Sequence, residues 1–167
     1  ARELSDGDTI FIDSGSTAVN VLRHLPPRIK LTVVTHSLPA MVEAAKYDGI
    51  NLISLGGAFN PATSSFVGIF AQQALSDLRI TKAFLCATGV TVESGMSNTT
   101  FLEAEIKRGV VSHASSVILV ADSSKLGHDA TVTFCRLQDI STFVTDQKPA
   151  PKFVEFCRAH NIRLVWE

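Results

Sequence analysis

Short apolar runs alternate with amphipathic segments along most of this chain. The apolar runs are rich in Val, Ile, Leu, Thr and Phe, which is typical of strands buried on both faces of a sheet. The segments between them carry apolar residues at helical spacing and end at Pro or Gly signals. The alternation predicts an α/β fold, namely a mostly parallel sheet with helices on both faces, as one domain over residues 1–167.

The pattern also predicts where the elements lie. The predicted strands cover residues 9–13, 31–35, 50–55, 83–87, 117–121, 130–135, 142–145 and 162–166. The predicted helices cover residues 16–25, 38–47, 67–78, 100–114 and 151–160. Two polar stretches, residues 56–65 and 88–98, are rich in Gly, Ser, Thr and Asn and are predicted to be loops.

The end of the first predicted strand carries a candidate anion site. Asp13, Ser14, Gly15, Ser16 and Thr17 follow this strand and lead into a helix. In open parallel sheets ligands bind beyond the carboxyl ends of the strands. Glycine, hydroxyl groups and a helix N-terminus together favour an anion such as phosphate. A plain turn with a serine cap explains the same residues equally well, and neither a P-loop nor a dinucleotide fingerprint is present.

Three further strand ends offer polar or flexible positions. His36 follows the second strand, Gly57 the third, and Thr88 with Gly89 the fourth. Each could face a ligand, and glycine permits close approach of backbone to a ligand. Each also has a structural interpretation, as a buried histidine, an ordinary turn or a strand end.

The longest predicted helix begins with a capping-box pattern, Thr100-x-x-Glu103. Glu103 and Lys107 are four residues apart and can form an ion pair on the helix surface. Glu103 could instead face the pocket. Lys125 ends the polar turn after the fifth strand, where it could reach a phosphate or remain in solvent. Together, these strand-end groups predict a small-molecule site at one edge of the sheet.

Composition limits the partners of the chain. Of its 167 residues, 46% are apolar, and 15 Lys and Arg oppose 16 Asp and Glu, for a net charge of −1. Because a nucleic-acid binder usually carries a basic excess, we expect no DNA-binding surface on this chain. The apolar content predicts a sheet buried on both faces and a surface covered in a homo-oligomer, a dimer or tetramer.

Cysteine usage and hydropathy indicate the compartment. Cys86, Cys135 and Cys157 are odd in number and widely spaced, which argues against a disulfide framework or a zinc site. No signal peptide and no apolar run of about 18 residues is evident, so neither secretion nor a membrane location is expected. The predicted location is the cytoplasm, where thiols stay reduced.

Six spaced motifs carry a family resemblance. They are residues 7–17 (GDTIFIDSGST), 33–38 (VVTHSL), 55–57 (LGG), 82–85 (KAFL), 103–108 (EAEIKR) and 121–127 (ADSSKLG). The chain resembles the C-terminal effector-binding domain of the DeoR family of bacterial transcription regulators. The resemblance covers nearly the whole chain.

The resemblance implies a fold and a function. The implied fold is like that of ribose-5-phosphate isomerase, and the implied effector is a phosphorylated sugar or sugar acid. Separately, no metal or cofactor is expected. A winged helix-turn-helix that binds operator DNA normally precedes such a domain. We expect it in the full-length protein, although this chain lacks it. Effector binding would usually relieve repression of a sugar-catabolism operon.

The resemblance also assigns residues. The phosphate site would be lined by Ser14, Gly15, Ser16 and Thr17, with Lys125 as its cation. Positions near the pocket would be Asp13, Gly57, Glu103 and Lys107. His36 stands where many members have Asn, and Thr88 lies where many have Asp, so both positions concern effector choice.

Two alternatives remain beside the sensor. A sugar-phosphate isomerase or deaminase on the same fold needs a base and groups that polarise oxygens. The resembling isomerases carry two Asp residues in a strand-end loop, whereas residues 86–91 (CATGVT) contain none. Glu103 could act as a base but lacks evident partners, so the chain is predicted not to be an enzyme. A purely structural oligomerisation domain would not explain the polar strand ends.

Overall fold

A seven-stranded sheet forms the centre of the molecule. The computed structural model describes residues 4–166, so positions 1–3 and 167 of the predicted domain lie outside the described residues. The strands are β1 (Thr9–Ile12), β2 (Leu31–Thr35), β3 (Ile50–Ser54), β4 (Ala58–Asn60), β5 (Ser65–Val67), β6 (Ile80–Leu85), β7 (Gly89–Thr91), β8 (Gly95–Asn98), β9 (Ala114–Val120), β10 (Val132–Cys135), β11 (Thr142–Thr145) and β12 (Arg163–Trp166). The α-helices are α1 (Ser16–Arg23), α2 (Leu38–Ala44), α3 (Ile69–Leu75), α4 (Phe101–His113) and α5 (Pro151–Ala159).

All neighbouring strands of the central sheet are parallel. Their order is β12-β11-β9-β6-β1-β2-β3, and each pair keeps a continuous parallel register. The chain fills one side from β1 to β3 and then crosses to β6 on the other side of β1. This reversal is a topological switch point, where open parallel sheets bind ligands.

Helices cover both faces because the buried strands are apolar on both sides. On β1, Ile10 and Ile12 pack with α1 and α2, whereas Phe11 points to the opposite face. There the core includes Leu75 of α3 and Phe153 of α5. The predicted fold class is therefore confirmed.

The two predicted loops were wrong, because each forms a hairpin. Strands β4 and β5 pair antiparallel across residues 58–67. Strands β7 and β8 also pair antiparallel and recruit β10, so that the predicted strand 130–135 joins a separate three-stranded sheet. Helix α3 begins later than predicted, because Val67 belongs to β5 and Gly68 takes a φ of 100°.

Candidate functional site

A cavity of about 570 Å³ opens at the carboxyl edge of the central sheet. Its walls come from α1, the turn between β4 and β5, the segment after β6, the end of β8 and the first turns of α4. The cavity therefore lies at the switch point beside β1. Six predicted site residues line it: Ser14, Gly15, Ser16, Thr88, Glu103 and Lys107.

The first polar loop forms one wall of this cavity. Gly15 is the N-cap of α1, and among the described residues no side chain caps the helix. The first backbone N–H groups of a helix have no helical acceptor, so they can bind an anion. A Cβ atom at Gly15 would lie 2.5 Å from the Cβ and Sγ atoms of Cys86, so only glycine fits without displacement.

A buried ion pair lies behind that wall. Lys107 Nζ is 2.7 Å from Asp13 Oδ2 and also donates to the carbonyl of Cys86 at 2.7 Å. Asp13 accepts from the backbone N–H groups of Ser14 and Cys86, both at 2.8 Å. Burial raises the pKa of Asp13, but the charge of Lys107 and the hydrogen bonds from Lys107 and the Cys86 N–H hold it below its usual range. The charged pair joins the ends of β1 and β6 to α4.

A polar cluster forms a second part of the cavity wall. The Thr100 side chain accepts from the Glu103 N–H at 3.4 Å, so Thr100 is the N-cap of α4 and this half of the predicted capping box is confirmed. Glu103 Oε2 accepts from Asn98 Nδ2 at 3.2 Å, and Asn98 Oδ1 accepts from Lys107 at 3.1 Å. The predicted ion pair of Glu103 with Lys107 is wrong, because Asp13 takes up the lysine. A carboxylate and an amide at a cavity wall can recognise hydroxyl groups.

His36 lies beneath the site and does not line the cavity. It is fully buried and stacks on Phe11, with 5.6 Å between ring centroids. Its Nε2 is 3.8 Å from Asp13 Oδ1, and neither ring nitrogen has a hydrogen-bond partner within the described part of the chain. Burial lowers the pKa of His36 to about 4, although the Asp13 charge opposes this. The imidazole is therefore neutral at pH 7.

The remaining predicted positions also lie off the cavity wall. Gly57 has a φ of 109°, and a Cβ there would come within 2.6 Å of the Val67 carbonyl, so it serves the hairpin. A Cβ at Gly89 would collide with the His128 carbonyl. Lys125 ends the 3₁₀ turn Ser123–Lys125. Neither Lys125 nor Thr17 lines the cavity.

Arg23 and Asn20 line the cavity but were missed. The Arg23 guanidinium leans back along α1, because Nη1 donates to Asn20 Oδ1 at 3.0 Å. The signal was present in the helix period, since Ser16, Asn20 and Arg23 share one face. A basic residue near the end of a helix also interacts favourably with the helix dipole, so its position alone does not indicate a site.

In residues 4–166, no group of three or more His, Cys, Asp or Glu side chains is arranged to hold a metal ion. None of the helices in that range has the length and apolar character that crossing a membrane requires.

Sequence comparison decides the family. A family model described as the DeoR C terminal sensor domain matches residues 1–147. The chain belongs to this family. This DeoR sensor domain is 36% identical over 162 residues to the HTH-type transcriptional regulator IolR of Bacillus subtilis strain 168, covering 97% of the chain and 64% of that protein.

Other relatives agree with this assignment. The sensor domain is 32% identical over 152 residues to the lactose phosphotransferase system repressor of Staphylococcus epidermidis RP62A, covering 89% of the chain and 59% of that protein. It is 34% identical over 146 residues to the HTH-type transcriptional regulator GlpR of Haloferax volcanii, covering 87% and 56%. The chain thus spans less than two thirds of the length of these curated relatives.

Solved structures confirm the implied fold. Ribose 5 phosphate isomerase A from Neisseria gonorrhoeae superposes with a TM-score of 0.52 at 19% identity, over 75% of this chain and 48% of that chain. A D-ribose-5-phosphate isomerase solved with phospho-erythronic acid gives a TM-score of 0.53 at 20% identity, with the same coverage. These likenesses show the fold of the DeoR sensor domain.

Proposed function

We propose that this DeoR sensor domain binds a phosphorylated sugar or sugar acid and is the effector-sensing part of a cytoplasmic repressor of a sugar-catabolism operon. The observation that carries the proposal is that one cavity combines a wall suited to an anion with a wall suited to hydroxyl groups. The uncapped start of α1, with the hydroxyls of Ser14 and Ser16, suits a phosphoryl group. Glu103 and Asn98, on the other wall, suit sugar hydroxyls.

Operator DNA would be bound by a separate helix-turn-helix domain of the full-length protein. Two observations support this division. The sequence carries 15 basic and 16 acidic residues, so it lacks the basic excess of a DNA-binding surface. The relatives named above include HTH-type regulators and a repressor, and they extend beyond the length that this chain covers.

The proposed mechanism is a shift between two conformations. An effector changes operator affinity only if it binds one conformation better than the other. The turn between β4 and β5 and the start of α4 both contribute to the cavity wall, so they are the elements that an effector would contact and move. Their displacement would carry the signal toward the DNA-binding domain.

The chemistry of the cavity supports binding rather than turnover. Aldose–ketose isomerisation needs a base together with groups that polarise oxygens. Glu103 is the carboxylate at the cavity wall, and it already accepts hydrogen bonds from Asn98 and Thr100. Asp13 is held in its ion pair with Lys107. The segment after β6 places Thr88, which cannot act as an acid–base pair, at the wall.

Arg23→Gln is expected to weaken binding of the phosphorylated effector about 10–100-fold, because a hydrogen bond between charged groups contributes roughly 1.5–3 kcal/mol. The charge of Lys107 is already compensated by Asp13. The carboxylate nearest to Arg23 is Glu43 at 3.6 Å, and Glu43 also binds Lys46 at 2.8 Å. Arg23 is thus the wall cation with charge available for a ligand. Isothermal titration calorimetry measures the change.

Lys125→Gln is the matched variant, since the resemblance assigns the phosphate to Lys125 whereas the cavity wall contains Arg23. We expect its affinity to stay within about twofold of that of the original sequence, because it loses no contact to the ligand. A larger loss of affinity in Lys125→Gln than in Arg23→Gln would show that Lys125, and not Arg23, binds the phosphate.

A further inference from the structure

Glu103 is a buried carboxylate in the cavity wall without a cation beside it. The residue is 4% exposed, and among residues 4–166 it forms no ion pair. Its Oε2 accepts from Asn98 Nδ2 at 3.2 Å and from the Thr100 hydroxyl at 3.3 Å. Its Oε1 has no hydrogen-bond partner within the described part of the chain, where His36 alone has side-chain atoms that are both inaccessible and unpartnered. Oε1 is therefore open to the cavity.

Lys107 cannot supply the missing charge, although it lies one helical turn from Glu103. The three protons of its ammonium go to Asp13 Oδ2 and the Cys86 carbonyl, both at 2.7 Å, and to Asn98 Oδ1 at 3.1 Å. The start of α4 favours an anion, but a helix N-terminus carries only about half an elementary charge. Part of the negative charge of Glu103 therefore stays uncompensated.

The buried network as a whole carries an excess of negative charge. Asp13 and Lys107 cancel each other, and His36 is neutral at pH 7. Glu103 adds one negative charge to this balance. Buried charges in proteins are normally paired, because removing a lone ion from water is costly. A cationic group on the ligand would complete the network.

The cavity wall carries opposite charges at separate places. Arg23 and the N-terminus of α1 form its positive part, and Glu103 of α4 forms its negative part. Arg23 does not pair with Glu103, since its carboxylate partner is Glu43 at 3.6 Å. Such a wall is complementary to a ligand that has one anionic and one cationic group.

A chain of contacts links the two parts of the wall. The Asn98 amide lies between Glu103 and Lys107, and Lys107 binds Asp13, which directly precedes the first polar loop. One amide and one ammonium group thus separate the carboxylate of Glu103 from Asp13. This separation is within the reach of one six-carbon sugar.

We propose that the effector is an amino-sugar phosphate, whose ammonium group binds Glu103 Oε1 while its phosphoryl group binds at the start of α1. The proposal rests on the function proposed above and names the class of ligand for that site. The ammonium group belongs at carbon 2 of a hexose 6-phosphate. An amine on carbon 1 is lost by hydrolysis in water, and carbon 2 is the next position away from the phosphate.

Isothermal titration calorimetry with matched pairs of ligands tests this proposal. The pairs are the 6-phosphates of glucosamine and glucose, of galactosamine and galactose, and of mannosamine and mannose. We expect one amino compound to bind about 10–100-fold more tightly than its parent sugar phosphate, because it gains a hydrogen bond between charged groups. Glu103→Gln keeps the size of the side chain but removes its charge, so the ratio of the two affinities should fall to near one. Circular dichroism checks that this variant folds.

Glu105→Gln is the matched control, since Glu105 lies on the same helix but is 45% exposed and pairs with Arg108 outside the cavity. It should keep the preference for the amino compound. Equal or tighter binding of the hexose phosphate in every pair would overturn the proposal and leave the sensor function intact. A preference that survives in folded Glu103→Gln would overturn the assignment to Glu103. No binding of any of the six compounds would overturn the proposal as well, and a wider panel of sugar phosphates then decides whether the sensor function also fails.

Discussion

Lys107→Met is expected to lower the free energy of unfolding by about 3–5 kcal/mol, the usual cost of removing one partner of a buried ion pair. Methionine fills similar space but leaves the charged carboxylate of Asp13 without its cation. Asp13 is fully buried and Lys107 is 2% exposed, so solvent cannot replace the lost interaction. Urea denaturation followed by circular dichroism measures the change.

Two further variants separate this cause from a general loss of packing. Lys82→Met removes a comparable ion pair. Lys82 Nζ lies 2.6 Å from Asp8 Oδ2, and both side chains are partly exposed. It should cost no more than about 1 kcal/mol. Asp13→Asn combined with Lys107→Met removes the unpaired charge and should be more stable than Lys107→Met alone. Equal losses in Lys107→Met and Lys82→Met would show that the buried pair has no special role.

Acidification from pH 7 to pH 5 is expected to destabilise the domain by about 2 kcal/mol through His36. Burial lowers the pKa of His36 from its ordinary 6.5 to about 4, against the opposing charge of Asp13. Between these values the unfolded chain binds a proton that the folded chain does not, so stability falls as pH falls. The stability that ionised Asp13 contributes is lost only at a lower pH, because the pKa of Asp13 lies below 3.8. Urea midpoints at both pH values measure this.

His36→Asn removes the titrating group and should flatten the dependence between pH 7 and pH 5. The control is His128→Asn, since His128 is an exposed histidine and its replacement should leave the dependence intact. A slope that persists unchanged in His36→Asn would assign the proton uptake to another group.

Periodic apolar residues were enough to predict the central sheet. In β2, for example, Leu31 and Val33 are buried on one face and Val34 on the other, so the apolar pattern of the strand is visible in its own sequence. Helix boundaries followed from local chemistry as well, as with Ser37, which caps α2 by accepting from the Ala40 N–H. These signals lie within a few residues of the element that they define.

The hairpins and the buried network could not be predicted in this way. Strands β7 and β8 consist largely of Gly, Thr, Ser and Asn, and the pairing of β8 with β10 brings together residues about 35 apart in the chain. Asp13 and Lys107 are still further apart, so nothing local indicates their ion pair. Whether Glu103 faces the solvent or the cavity likewise depends on how α4 packs, which a capping pattern does not reveal.

The central claim is that the cavity binds a phosphorylated sugar or sugar acid without converting it. Thermal unfolding of the domain with a panel of sugar phosphates, each paired with its unphosphorylated sugar, tests this most directly. A ligand at about 100 times its dissociation constant should add roughly 2.7 kcal/mol, or several degrees. We expect one phosphorylated compound to stabilise the domain selectively and to remain intact by NMR. No shift with any phosphorylated compound, or conversion of the stabilising one to product, would contradict the account.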